Sequence, residues 1–159
     1  MSYNEHMTEP RWLDAAQQHD WRAYVEGSVR LADLLDRDLK AKHGLTMAEY
    51  EILVRLSEAS GRRLRMAELA EFAGQSRSRL SHTVSRLECK GLVARGTCGA
   101  DKRGVNAELT ERGVAFLEKA AVDHVNTVRE FFVDVIGPAD LKAIGRAFTA
   151  IAEQVEKAR

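Results

Sequence analysis

A long apolar run is missing from this 159-residue chain, and with it any stretch approaching the roughly 20 residues that a membrane-spanning helix needs. The opening residues, MSYNEHMTEP, lack the apolar core of a secretory signal. A cytoplasmic protein with no membrane partner is therefore expected. Only two cysteines occur, Cys89 and Cys98, too few for a disulfide framework and in keeping with a reducing compartment. Aromatic residues make up 6%, which does not suggest a lectin or a base-stacking platform. Proline is also scarce, at two residues, so long helices can run uninterrupted.

Chemistry-bearing motifs are equally absent. No glycine-rich phosphate loop, His-Glu-x-x-His, Cys-x-x-Cys or serine or cysteine with an evident base partner is present. The five histidines, His6, His19, His43, His82 and His124, include no pair at the three-or-four spacing of a helical metal site. Neither an enzyme nor a cofactor is expected.

Net charge is formally zero, but it is not evenly spread. Residues 62–112 hold eleven arginines and lysines against six carboxylates, an excess of five that the remaining chain cancels. A basic middle between acidic arms suits a phosphate-binding lobe on a neutral protein. With 45% hydrophobic residues, the chain can build one domain with a proper core.

That basic middle has an internal order. Met66, Leu69, Ala70 and Ala73 recur at helical spacing, Gly74 breaks the pattern, and Ser76 is placed to cap a second helix over about 77–90. At about 100° per residue, Leu80, Val84 and Leu87 share one buried stripe. Ser78, His82, Ser85 and Arg86 fall on the far side, flanked by Arg79 and Ser81, with Arg77 nearer the buried edge. Small hydroxyls allow close approach to a DNA groove, and arginine can reach guanine or phosphate with two bonds. The same residues equally describe a solvated face. Gly91 ends the helix, and 92–95 and 105–109 read as strands joined by a glycine-rich tip carrying Lys102 and Arg103. Arg62, Arg63 and Arg65 form a basic connector, either a third short strand that grazes phosphate or a solvated loop. Thr110 caps the next helix.

The ordered set ELA (68–70), SRSRLSHTVSRLE (76–88), GLVAR (91–95), DKRG (101–104) and LTERG (109–113) resembles the MarR-type winged helix-turn-helix regulators, over about 30–148. The resemblance implies a mainly α fold, α+β by virtue of a small β-hairpin wing. It implies a recognition helix at 76–90, with Arg77, Ser78, Arg79, Ser81, His82, Ser85 and Arg86 facing the major groove. In the wing, Arg103 would reach the minor groove with Lys102 beside it, and Asp101 would hold the loop by an ion pair. It further implies a homodimer on a palindromic double-stranded DNA operator, and a repressor released by a small aromatic or phenolic acid.

The arms extend the same reading. Thr8, Glu9 and Pro10 look like a helix start, and Leu13, Trp21, Tyr24, Val25, Leu31, Leu35 and Leu39 keep helical spacing to about Lys42, closed by His43 and Gly44. Thr46 caps a helix burying Tyr50, Leu53, Val54 and Leu56. A long helix runs from Val114 to about Ile136, and another from Ala139 to Lys157. The expected organisation is one domain, with 46–113 as the winged lobe and 8–43 and 114–158 as dimerisation helices. Their pairing would set two recognition helices about one DNA turn apart. Trp21, Tyr24, Arg30, His43 and Tyr50 are candidate effector-pocket residues; as core and interface residues they would need no ligand. Two alternatives stand beside the regulator: a redox switch through Cys89 or Cys98, and an interaction module that has lost DNA.

Overall fold

The computed structural model describes residues 10–97 and 105–158. The first helix, α1, spans Ala15–His43, about 44 Å at the usual helical rise. It starts later than the expected Thr8–Pro10 region, of which Pro10 is described and is not helical. The reason is local. Asp14 accepts from the Gln17 amide at 2.8 Å while Gln17 accepts from the Asp14 amide at 3.1 Å, a reciprocal cap that fixes the first turn. Gly44, at φ 64°, ends the helix in the left-handed conformation.

Helix α2, Met47–Glu58, opens on a second reciprocal cap between Thr46 and Glu49. A single 3₁₀ turn leads into strand β1, Arg63–Arg65, then helix α3, Met66–Phe72, and helix α4, Arg77–Cys89. Strands β2, Val93–Thr97, and β3, Val105–Leu109, complete a three-stranded antiparallel sheet in the order β1-β3-β2. Leu64 lies opposite Ala107, and Arg95 faces Ala107 from the other side. The basic connector thus does supply a third strand.

Helix α5, Glu111–Val128, widens into a π turn over Arg129–Val133, a local change that the apolar periodicity does not reveal. Pro138 opens the last helix, α6, Pro138–Lys157.

The core lies in the lobe. Ile52, Leu53 and Leu56 of α2, Leu69 of α3, and Leu80, Val84 and Leu87 of α4 are fully enclosed with Leu39, Leu45 and Leu92. Val54, expected inside, is only half-buried at the edge of this cluster, while Glu49 and Ile52 take inward positions. At the base of the lobe, the Thr110 hydroxyl donates to the Gly91 carbonyl at 2.8 Å and accepts from the Gly113 amide at 2.9 Å. This holds α5 so tightly against the β2 entrance that a Cβ on Gly113 would sit 2.1 Å from the Leu92 carbonyl oxygen.

The arms are bare by comparison. On α1 only Leu39 is buried, and on α6 no residue is. Trp21, Val25 and Val29 on α1, and Phe148, Ile151 and Val155 on α6, leave an apolar stripe exposed along both.

Candidate nucleic-acid interface

The turn before α4 follows from its residues. Gly74 adopts φ 58°, and the Gln75 amide reaches back to the Ala70 carbonyl at 3.0 Å, satisfying the end of α3. Ser76 then accepts from the Arg79 amide at 3.2 Å and starts α4. With Leu80, Thr83, Val84 and Leu87 sunk in the core, the opposite face is fixed. It presents Ser78, Arg79, His82 and Arg86 to solvent as one exposed row, with Arg77 exposed at the helix start. This is the face the sequence pattern assigns to DNA. Along it runs an open groove of about 950 Å³ between α4 and the α1–α2 junction, lined by Asp36, Lys40, Thr46, Arg79, His82 and Arg86 among others.

Two members of the expected row are placed differently. Ser81 and Ser85 are half-buried on the flank of α4 that meets β2. The Arg95 guanidinium donates to the Ser81 carbonyl at 2.7 Å and to the Ser85 hydroxyl at 3.1 Å, and it pairs with Glu88 at 3.4 Å. Their hydroxyls therefore tie β2 to α4 rather than face outward. Arg95 reads in the sequence only as a strand residue. Its role follows from β2 crossing α4, which no local pattern states.

Arg62 and Arg63 are held by Glu111 at 3.0 Å and Glu108 at 2.8 Å. The wing tip, residues 98–104, with Asp101, Lys102, Arg103 and Cys98, lies outside the described residues. Cys89 is exposed as the last residue of α4.

A second residue missed in the sequence is Glu49. It is 2% exposed, yet it is a carboxylate. Burial pushes its pKa up, but the Thr46 amide, the Arg86 guanidinium and the Lys90 ammonium outweigh that and hold it below the ordinary value. Its partners Arg86 on α4 and Lys90 just after it lie 37 and 41 residues away, so no local pattern signals its burial.

The five candidate effector residues do not share one site within the chain. Trp21 lies 5.5 Å from Tyr24, which lies 5.5 Å from Phe148, while Arg30 pairs with Glu26. His43 bonds Asp123 at 2.8 Å, and Tyr50 lies against His124 at 4.6 Å. Along α1, Trp21 and His43 are about 33 Å apart. Aromatic surface, polar tips and a countercharge suggested the five as one set, but sequence alone does not register the distance between them. Burial lowers the pKa of His124, which the Asp38 charge only partly offsets, and burial raises that of the Tyr50 hydroxyl.

Among the described residues, no group of three or more histidine, cysteine or acidic side chains could hold a metal ion. No described helix is long and apolar enough to cross a membrane.

Comparison with known proteins places this geometry. A family model described as MarR family matches residues 43–104. The HTH-type transcriptional repressor YetL of Bacillus subtilis is 29% identical over 153 residues, covering 87% of this chain and 92% of that protein. Among solved structures, AbsC, a MarR family transcriptional regulator from Streptomyces coelicolor, superposes with a TM-score of 0.88 at 44% identity, covering 93% of this chain and 99% of that one. Sco3205, a MarR family transcriptional regulator from the same organism solved in complex with DNA, superposes with a TM-score of 0.88 at 45% identity, covering 92% of each chain.

Proposed function

Because the chain belongs to the MarR family of transcriptional regulators, we propose that it acts as a homodimeric, sequence-specific regulator of double-stranded DNA. The observation that carries this reading is the exposed row of Ser78, Arg79, His82 and Arg86, with Arg77 exposed at its start, on a helix whose opposite face is locked in the core. Such a helix can enter a major groove without repacking the lobe. Arginines 77, 79 and 86 supply bidentate contacts to guanine or phosphate, and Ser78 permits close approach. Lys102 and Arg103 of the wing would meet the adjacent minor groove or phosphates, held by Asp101.

The bare apolar stripes of α1 and α6 support a dimer in which residues 8–43 and 114–158 pair with a second copy. The lobe over 46–113 and these arms then work as one unit, reading a palindrome. Repression is the direction favoured, since the repressor YetL aligns along most of this chain. Release by a small aromatic acid would act through the groove beside α4. There Arg79 and Arg86 offer countercharge, so a bound anion would compete directly with phosphate.

Selection of bound fragments from a random duplex library tests the reading. An inverted repeat with half-sites about one helical turn apart is expected. Recovery of fragments without a shared sequence would overturn it in favour of a module that kept the fold and lost the operator. Arg103→Ala should weaken binding to the selected fragment while leaving the circular-dichroism spectrum unchanged.

A further inference from the structure

Glu49 is the one carboxylate of α2 turned into the lobe, beside Tyr50, Ile52, Leu53 and Leu56. A buried charge there is costly, and an apolar residue of similar volume could fill the space as well. What the carboxylate does is collect donors from two helices. Its Oε2 accepts from the Thr46 amide at 2.8 Å, and its Oε1 accepts from Arg86 Nε at 3.0 Å. Lys90 Nζ reaches both oxygens at 3.3 Å and also the Gly44 carbonyl at 2.7 Å.

The consequence falls on Arg86. Its side chain is 53% exposed, and Glu49 holds it by Nε, the inner edge of the guanidinium. The bond takes the Nε edge of the fork and not its two outer, terminal nitrogens, and Arg86 lines the groove beside Arg79 and His82. Those outer donors are the pair that would engage a guanine edge or a phosphate.

We propose that Glu49 is a positioning residue for DNA recognition: through its bond to Arg86 Nε it presets the guanidinium of the recognition helix, and so sets discrimination between operator and other DNA. The inference rests on the reading of α4 as the DNA-contacting helix. Lys90 serves the same carboxylate as a second anchor, tied to the end of α1.

Glu49→Gln tests it cleanly, because glutamine keeps the volume and can keep the cap to Thr46. It has only one oxygen, however. With that oxygen on the Thr46 amide, its NH₂ group meets Arg86 Nε–H and Lys90 as donor against donor. The full-length protein, Glu49→Gln, Arg86→Ala and the double variant are titrated by fluorescence anisotropy against the selected operator fragment and against an unrelated duplex of equal length.

Glu49→Gln is expected to weaken operator binding roughly tenfold, from the cost of ordering one long side chain in each of two half-sites. Affinity for the unrelated duplex stays within about twofold, since non-specific binding needs charge rather than a preset fork. Added to Arg86→Ala, the glutamine has no further effect on discrimination, because it acts through Arg86. Parallel weakening on both duplexes would show a general folding effect and overturn the proposal. So would undiminished discrimination by Glu49→Gln, or effects of the two changes that multiply. If the wild-type protein itself fails to discriminate, the DNA reading falls and the positioning role falls with it. If the wild type discriminates and only Arg86→Ala weakens it, the positioning role alone is lost.

Discussion

Replacing Gly113 by alanine probes the junction on which the winged lobe meets helix α5. The new Cβ would lie 2.1 Å from the Leu92 carbonyl oxygen and 2.7 Å from Leu109 Cδ1. Leu109 can turn away, but the Leu92 carbonyl is backbone, within 3.1 Å of both the Thr110 amide and hydroxyl. Relief therefore requires α5 to move outward by about 1 Å, which lengthens the Thr110 bonds. Overpacking of this kind costs about 1–3 kcal/mol, and a loosened hydrogen bond about 1 kcal/mol more. The better helix propensity of alanine returns about 1 kcal/mol at most, since Gly113 lies in the first turn. A net loss near 2–3 kcal/mol corresponds to a fall in Tm of about 4–12 °C for a chain of this size. Thermal unfolding followed at 222 nm, at matched protein concentration because the Tm of the proposed dimer would depend on it, reads this directly. A Tm equal to or above wild type would refute the reasoning. Such a result would mean that the α5 start yields freely, and that lobe and arm are not rigidly joined there.

Other perturbations separate the parts of the account. Arg95→Ala should cost about 1–3 kcal/mol in urea unfolding and weaken operator binding, with Arg95→Lys a poor rescue because an ammonium cannot span Ser81, Ser85 and Glu88 as a planar fork does. Acidification should destabilise the fold in two stages. His124 is depressed by burial, so its contribution is present above the ordinary histidine value of 6.5 and is lost as pH falls through its lower folded value. Asp36, Asp38 and Glu49 are also depressed, so a second loss follows as pH drops through and below the usual carboxylate range. In urea midpoints measured against pH, His124→Phe should remove the first stage and leave the second; an unchanged profile would exclude His124 as its source. Ile151→Asp with Val155→Asp should convert the proposed dimer to monomer in sedimentation velocity and abolish tight operator binding, whereas a persistent dimer would place the interface away from α6.

The sequence revealed elements whose signals are local. The Leu80, Val84 and Leu87 stripe, the Gly74 turn and the Ser76 cap placed α4 to within a residue, and the run of helices, short strands and LTERG ordered the whole winged helix. Thr110 and Gly113 of that last motif acquire their reason only with the Leu92 carbonyl beside them. The site was legible where exposure follows from the helix wheel, as at Ser78, Arg79, His82 and Arg86, whereas Arg77, nearer the buried edge of the wheel, is exposed because it opens the helix. It failed where a distant element decides. Ser81 and Ser85 share the polar arc of the wheel, but β2 covers that flank and Arg95 takes their hydroxyls. Glu49 carries no local sign of its burial, because the cations that make it tolerable are Arg86 of α4 and Lys90 just beyond that helix. The five aromatic and polar residues assigned to one pocket were joined by chemical suitability alone, and α1 holds Trp21 and His43 many turns apart.

The central claim is that the α4 face reads DNA sequence through its arginines. Its most direct test is binding of the purified protein to duplex from upstream of its own gene, measured at 50 and 200 mM salt with unrelated DNA as competitor, beside Arg79→Ala. The account predicts a competitor-resistant complex whose affinity falls steeply with salt, and a variant that loses affinity and has a shallower dependence by about one counterion per protomer. Binding no stronger than to the competitor, or a variant indistinguishable from wild type in both affinity and salt slope, would contradict it.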